Sequence, residues 1–307
     1  MVYRISGDPA FFFTLTTKPN RFEPFYIPPE IKHYPHLTKL ILEKHSLSSI
    51  PPEIGALTKL EILGLSKNLI VDLPPELSQL QTLRVLDLSC NFMDKLPGVV
   101  GGIRNLEKLH LQGNCLIELP QEMSQLKKLA FLDLSHNYFE ALPNVVIQME
   151  SLTHLDLSYN YLNELPLGIQ QLQHLTRLDL SFNRFKTLPS GVLDLEHLEE
   201  LQMTHLKMRI TIKDLKQLKA LKNLYITNYA LINRTKILAK WYLPRCRVIV
   251  DQQNPWILRW QSIKEWISAP LSEVGRTIGY GIAKVLYKTK LPLAHRIADI
   301  LTAHPMG

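Results

Sequence analysis

The side chains in this sequence with chemical potential cluster in its middle third. His110, His136 and His154 lie there with Cys90 and Cys115 close by, and Asp87, Asp133, Asp156 and Asp179 thread between them. A zinc centre would need its ligands at motif spacing, with pairs a few residues apart. These histidines instead fall in different columns of three successive repeats, as solvated or partner-contacting histidines do. Cys90 and Cys115 flank one column from adjacent repeats and could approach one another, but two free thiols is the preferred reading. No Gly-rich phosphate loop, zinc-spaced cysteine pair or strand-turn-helix nucleophile motif occurs. The sequence therefore predicts no catalytic residues, no metal and no cofactor.

What remains is recognition. Phe131, Asp133, His136 and Tyr138 are followed one period later by His154, Asp156, Tyr159 and Tyr161, and then by Arg177, Asp179, Phe182 and Arg184. Aromatic surface left exposed on a strand face often marks a binding anchor. These twelve residues are the candidate seat for a partner protein, with Phe131, Tyr159 and Phe182 expected to be exposed and Tyr138, Tyr161 and Arg184 extending the patch along one rim. The competing reading, in which the rings lie flat on their neighbours and serve no partner, stays open.

The elements that must position this patch follow from its period. A leucine recurs at one constant spacing, at Leu37, Leu60, Leu83, Leu106, Leu129, Leu152, Leu175, Leu198 and Leu221. Leu155 and Leu157, two apart, point to one side of a short strand, while Asp156 and Ser158 point to the other. This register predicts Leu155 and Leu157 buried and Asp156 exposed. Asn68, Asn91, Asn114, Asn137, Asn160 and Asn183 form a column whose amides can satisfy turn backbone. The Leu-Pro pairs from Leu73-Pro74 to Leu188-Pro189 disfavour a long helix on the opposite side, so the stack must curve.

This period with these residues resembles the leucine-rich-repeat family over about residues 27 to 251. The convex L-P-x-x-I-x-x-L segment is similar to that of intracellular proteins of the Ras-suppressor type, and short free-standing arrays of this kind also occur among effectors that bacteria deliver into host cells. The resemblance implies an α/β solenoid: a horseshoe with a parallel concave sheet. It also implies protein binding on that sheet, although the Asp-Ser dipeptides are common fillers in the family. Some bacterial members carry a C-terminal ubiquitin-ligase domain with a catalytic cysteine. Here no cysteine follows Cys246, so that likeness stops at the repeats.

Residues 1–36 read as an N-terminal cap with a partial repeat, because Ile27-Pro28-Pro29-Glu30-Ile31 precedes Ile50-Pro51-Pro52-Glu53-Ile54 by one period. Residues 37–251 read as the array. It decays at Leu206, where Asn is missing, and passes through a helix near Arg234 to Leu243. It ends on a strand in which Val248 and Val250 follow Leu224 and Ile226 by one position more than a full period. Residues 252–307 read as a C-terminal helical cap, with Trp256, Trp260, Ile263 and Ile267 on one helical face.

With 46% hydrophobic and 21% charged residues, neither disorder nor a membrane protein is the default. Three cysteines cannot brace an extracellular array, so a cytoplasmic setting is expected, or a host cytosol for a delivered protein. The net charge of +7 belongs mostly to the chain after Arg245, which argues against nucleic acid as partner. The leading expectation is a scaffold, inhibitor or targeting subunit that binds another protein. The alternative is a membrane-associated adaptor using the basic C-terminal helix, which Gly275, Gly279 and Gly281 weaken.

Overall fold

The computed structural model describes residues 26–206 apart from residue 167, residues 215–227 and 245–250, and the backbone of residues 5–6 and 12–15. The helix expected near residues 234–243 and the C-terminal helical cap lie outside the described residues. All described residues belong to one compact unit.

That unit is built on one sheet of twelve strands in chain order. They are β1 (Ile5–Ser6), β2 (Phe12–Leu15), β3 (Lys39–Ile41), β4 (Ile62–Gly64), β5 (Val85–Asp87), β6 (Lys108–His110), β7 (Phe131–Asp133), β8 (His154–Asp156), β9 (Arg177–Asp179), β10 (Glu200–Met203), β11 (Asn223–Ile226) and β12 (Arg247–Val250). From β2 onward every pairing is parallel; β1 alone runs antiparallel to β2. The final strand pairs Leu224 with Val248 and Ile226 with Val250, the lengthened step read from the sequence. The first parallel strand was not anticipated: Phe12 pairs with Lys39, an offset outside the phase of the repeats.

The period of two within each strand sorts core from surface. Leu155 and Leu157 are buried, as are their counterparts Leu132, Leu134, Leu178 and Leu180. Asp156 is half-buried rather than exposed. Its register is as expected, but closely spaced strands on either side leave a short side chain partly screened. Opposite the sheet, short 3-10 turns such as Pro52–Ala56, Pro75–Gln79, Gly98–Gly102 and Gln121–Gln125 bury Ile54, Leu77, Val100 and Met123. The proline that begins or precedes each of them is already extended, which starts a tight turn and forbids a long helix. Adjacent turns come so close that a Cβ on Gly101 would lie 2.3 Å from the Glu122 carbonyl oxygen, so only glycine fits there.

The asparagine column ties each repeat to the one before. Asn137 Nδ2 donates to the carbonyls of Leu111, Leu134 and Ser135, while its Oδ1 accepts the Leu116 N–H at 3.0 Å. Asn68, Asn91, Asn114 and Asn160 are similarly buried and bonded. Buried backbone groups at the turn are thereby paired, which is the condition for burying a turn at all.

Candidate binding face

Just before the asparagine position of each repeat, the chain must reverse out of the strand, and it does so through a left-handed residue. Lys44, Lys67, Cys90, His136, Tyr159, Phe182 and His205 all have φ between 52° and 60°, and Gly113 has φ 70°. Such angles cost an L-residue energy and persist only where its surroundings impose them. Here a ladder imposes them: each of these N–H groups through Phe182 donates to a carbonyl of the next repeat, as Tyr159 does to Ser181 at 3.0 Å. The shared backbone angle points successive side chains the same way, one strand spacing apart.

In the C-terminal half of the array that alignment produces a ring stack. His136 lies on Tyr159 with centroids 4.0 Å apart, Tyr159 on Phe182 at 4.0 Å, and Phe182 on His205 at 4.1 Å, with interplanar angles of 12°, 12° and 21°. Tyr159 and Phe182 are therefore half-buried between neighbours, not free anchors as the sequence suggested. The rings do lie flat on one another, yet their common edge still faces outward with His136 exposed at one end.

Beside the stack runs a second row. Tyr138 and Tyr161 are tilted at 5.9 Å, and the Arg184 guanidinium carbon lies 4.3 Å over the Tyr161 ring, a cation–π contact. Burial, with smaller contributions from Cys115 and Tyr161, pushes the Tyr138 hydroxyl up to about 12. It remains a neutral donor at ordinary pH.

On the other side of the stack, Asp133, Asp156 and Asp179 pair in register across β7, β8 and β9. Each Oδ1 accepts the N–H of the serine two residues on, at 3.0, 2.9 and 2.8 Å. Burial first, and then Asp133, raises Asp156 to about 6; burial and then Asp156 raise Asp179 to about 7. Asp133 is also raised, mainly by burial. No described ion pair involves any of the three.

The fourth row contains Phe131, His154 and Arg177. Phe131 is half-buried and not exposed as expected, its ring centroid 4.7 Å from that of His110 and 6.0 Å from that of His154, and Arg177 Nε is 3.9 Å from Glu200. Thr153 Oγ1 donates to the Ala130 carbonyl at 2.9 Å, so the His154 Nδ1–H donates to that same hydroxyl at 2.7 Å. In that neutral tautomer Nε2 is the lone-pair nitrogen. Burial lowers the pKa of His154, helped by Arg177, and burial also lowers that of His110.

All twelve residues selected from the sequence thus converge on β7, β8, β9 and the turns after them. Sequence reasoning missed His205, the fourth ring, although it follows Phe182 by the same repeat period; it also missed His110 against Phe131 and Glu200 beside Arg177. The chemistry available is recognition by rings, carboxylates and a few cations. Cys90, Cys115 and Cys246 are free, and burial raises all three thiols, the opposite of nucleophile activation. Among the described residues no cluster suited to a metal ion occurs, and no helix is long and apolar enough to cross a membrane.

Comparison with known proteins agrees with this architecture. Residues 75–160 match the model of a leucine-rich repeat region, and residues 35–91 and 150–207 match that of a leucine rich repeat. No curated protein matches the chain significantly. Among solved structures, the plant peptide hormone receptor RGFR1 in complex with RGF2 is 28% identical with a TM-score of 0.55, over 66% of this chain and 34% of that one. A TDR receptor is 27% identical with a TM-score of 0.61, over 74% of this chain and 40% of the receptor. A leucine-rich-repeat protein of Leptospira interrogans is 26% identical with a TM-score of 0.42, over 73% and 75%. The chain thus spans well under half the length of the two receptors.

Proposed function

The chain belongs to the leucine-rich-repeat family, whose members generally mediate protein–protein interaction, and from that premise we propose that it is a non-catalytic module holding another protein on the concave strand face. The observation that carries this reading is the convergence of four side-chain rows on β7, β8 and β9: the strand-start row, the acid row, the ring stack and the Tyr138–Tyr161–Arg184 rim. Rings held in place by their neighbours lose little conformational freedom on binding, which is what a preorganised recognition surface needs. The RGFR1 receptor, solved in complex with RGF2, is a relative in fold that supports a protein or peptide as partner. Acting as a scaffold, an inhibitor or a targeting subunit would each use this face without chemistry. Three unpaired thiols support a reducing compartment such as a cytosol.

The test is a photoreactive aromatic amino acid placed at Phe131 or Tyr161, compared with one at Gln170 on the opposite side. Covalent capture of the same partner from the strand face alone supports the reading. Capture of that partner only from Gln170 overturns it.

A further inference from the structure

We propose that the strand face takes a basic amphipathic helix of the partner, laid across the strands with its cationic stripe over Asp133, Asp156 and Asp179 and its apolar stripe against the ring stack. The inference deepens the binding reading above and rests on it.

Charge complementarity is the first argument. Three carboxylates stand in register on adjacent strands, with His110 at one end of the row and Gln202 at the other. The nearest basic side chain along the strand, Arg177, is directed to Glu200. Each aspartate uses one oxygen to hold a serine N–H, and its elevated pKa reflects burial and acidic neighbours, with no cation offsetting them. A guanidinium or ammonium from outside would relieve that repulsion.

Dimensions decide the conformation of the occupant. Neighbouring strands are roughly 4.8 Å apart, so the three carboxylates span about 9.6 Å. Two turns of an α-helix rise about 10.8 Å and present residues three or four apart along one stripe. An extended peptide repeats the same face every ~6.8 Å, and would drift out of register with the row after one step. The ring row lies three residues beyond the acid row, at most roughly 10 Å away along the chain. One helix, about 10 to 12 Å across with its side chains, covers both rows at once.

The experiment is calorimetric titration of the full chain with three synthetic peptides. The first is an alanine-based helix with arginine along one stripe and leucine along the next; the second replaces every arginine by glutamate; the third keeps the first composition but is interrupted by prolines. The first is expected to bind at least about tenfold more tightly than the others, with affinity falling as salt rises. The double change Asp156→Asn and Asp179→Asn keeps the Oδ1 acceptors for Ser158 and Ser181, so it preserves the fold while lowering affinity for the first peptide about tenfold. Equal binding of the glutamate or proline peptide, lost on changing Tyr159 and Phe182, overturns the basic helix but leaves the binding face standing. Binding of the arginine helix that is indifferent to both residue pairs overturns the two readings together.

Discussion

Tyr159 and Phe182, one repeat apart in sequence, are stacked face to face with centroids 4.0 Å apart and ring planes 12° from parallel. Neither ring chose that geometry alone. Both residues are left-handed, with φ of 53° and 55°, and the hydrogen-bond ladder sets their backbones in parallel one strand spacing apart. A stack of this kind is a consequence of the solenoid as much as a feature of its surface, and it gives the rings a structural role alongside any in recognition.

The first prediction follows directly. Phe182→Ala removes two ring contacts, to Tyr159 and to His205, each worth about 0.5 to 1.5 kcal/mol. Thermal unfolding should show a loss of about 1 to 3 kcal/mol. An unchanged melting temperature would mean that the stack contributes nothing to the fold.

Asn137→Ala should cost roughly 1 to 3 kcal/mol in urea unfolding, because the Leu116 N–H and three carbonyls lose a buried partner together. Asn183 makes the same set of bonds but is less buried, so water can replace part of what Asn183→Ala removes. The expected order is Asn137 above Asn183. The reverse order contradicts the burial argument.

Lys67 is exposed at φ 58°, so its backbone strain can be probed apart from packing. Lys67→Gly should be neutral or stabilising by up to about 1 kcal/mol, the relief of a left-handed residue set against the extra freedom of glycine when unfolded. Lys67→Val should destabilise by roughly 1 to 2 kcal/mol, since a branched Cβ tolerates this region least. Equal stability of the two variants contradicts the assignment of strain to this column.

The period in the sequence made most of this legible, down to the lengthened step onto β12, because leucines at one constant spacing admit one packing and an in-register ladder propagates it. Strand β2 escaped because Phe12–Leu15 joins the sheet at an offset that no repeat shares. The left-handed column escaped for a different reason: of its members only Gly113 advertises a positive φ, while Lys67, Cys90, Tyr159 and Phe182 are forced there by neighbours in space. The half-burial of the rings is illegible for the same cause, since a side chain's cover comes from the adjacent repeat and not from its own segment.

Acidic residues whose folded pKa is raised destabilise the native state when ionised, and the sign fixes the pH dependence. Asp156 at about 6 and Asp179 at about 7 bind protons more readily folded than unfolded, where an aspartate titrates near 3.8. Their contribution to stability therefore improves as pH falls from above 7 toward 4, and is lost as pH rises. His110 and His154, lowered by burial, act in the opposite sense, weakening the fold as acid charges them. Comparing wild type with Asp156→Asn/Asp179→Asn isolates the carboxylates: the variant should melt higher than wild type at pH 8, with the gap closing toward pH 4. A gap that is constant over this range would show that the row carries no buried charge repulsion.

The last prediction separates recognition from folding at the ring stack. Truncating Tyr159 or Phe182 to alanine confounds the two, because it removes stacking as well as surface. Histidine already occupies this row natively at His136 and His205, stacked at 4.0 and 4.1 Å on the same neighbours. The double change Tyr159→His and Phe182→His should therefore keep a stacked, left-handed column, while it replaces two large aromatic rings with smaller, more polar ones. Stability in thermal unfolding should stay close to wild type. Affinity for the protein partner should fall about tenfold or more, since centrally placed aromatics carry a large share of binding energy. Gln170→Ala with Gln171→Ala, exposed on the opposite side, is the control and should leave affinity unchanged. Loss of binding in the control with none in the histidine pair would move the interface to the convex surface and leave the stack a structural device alone.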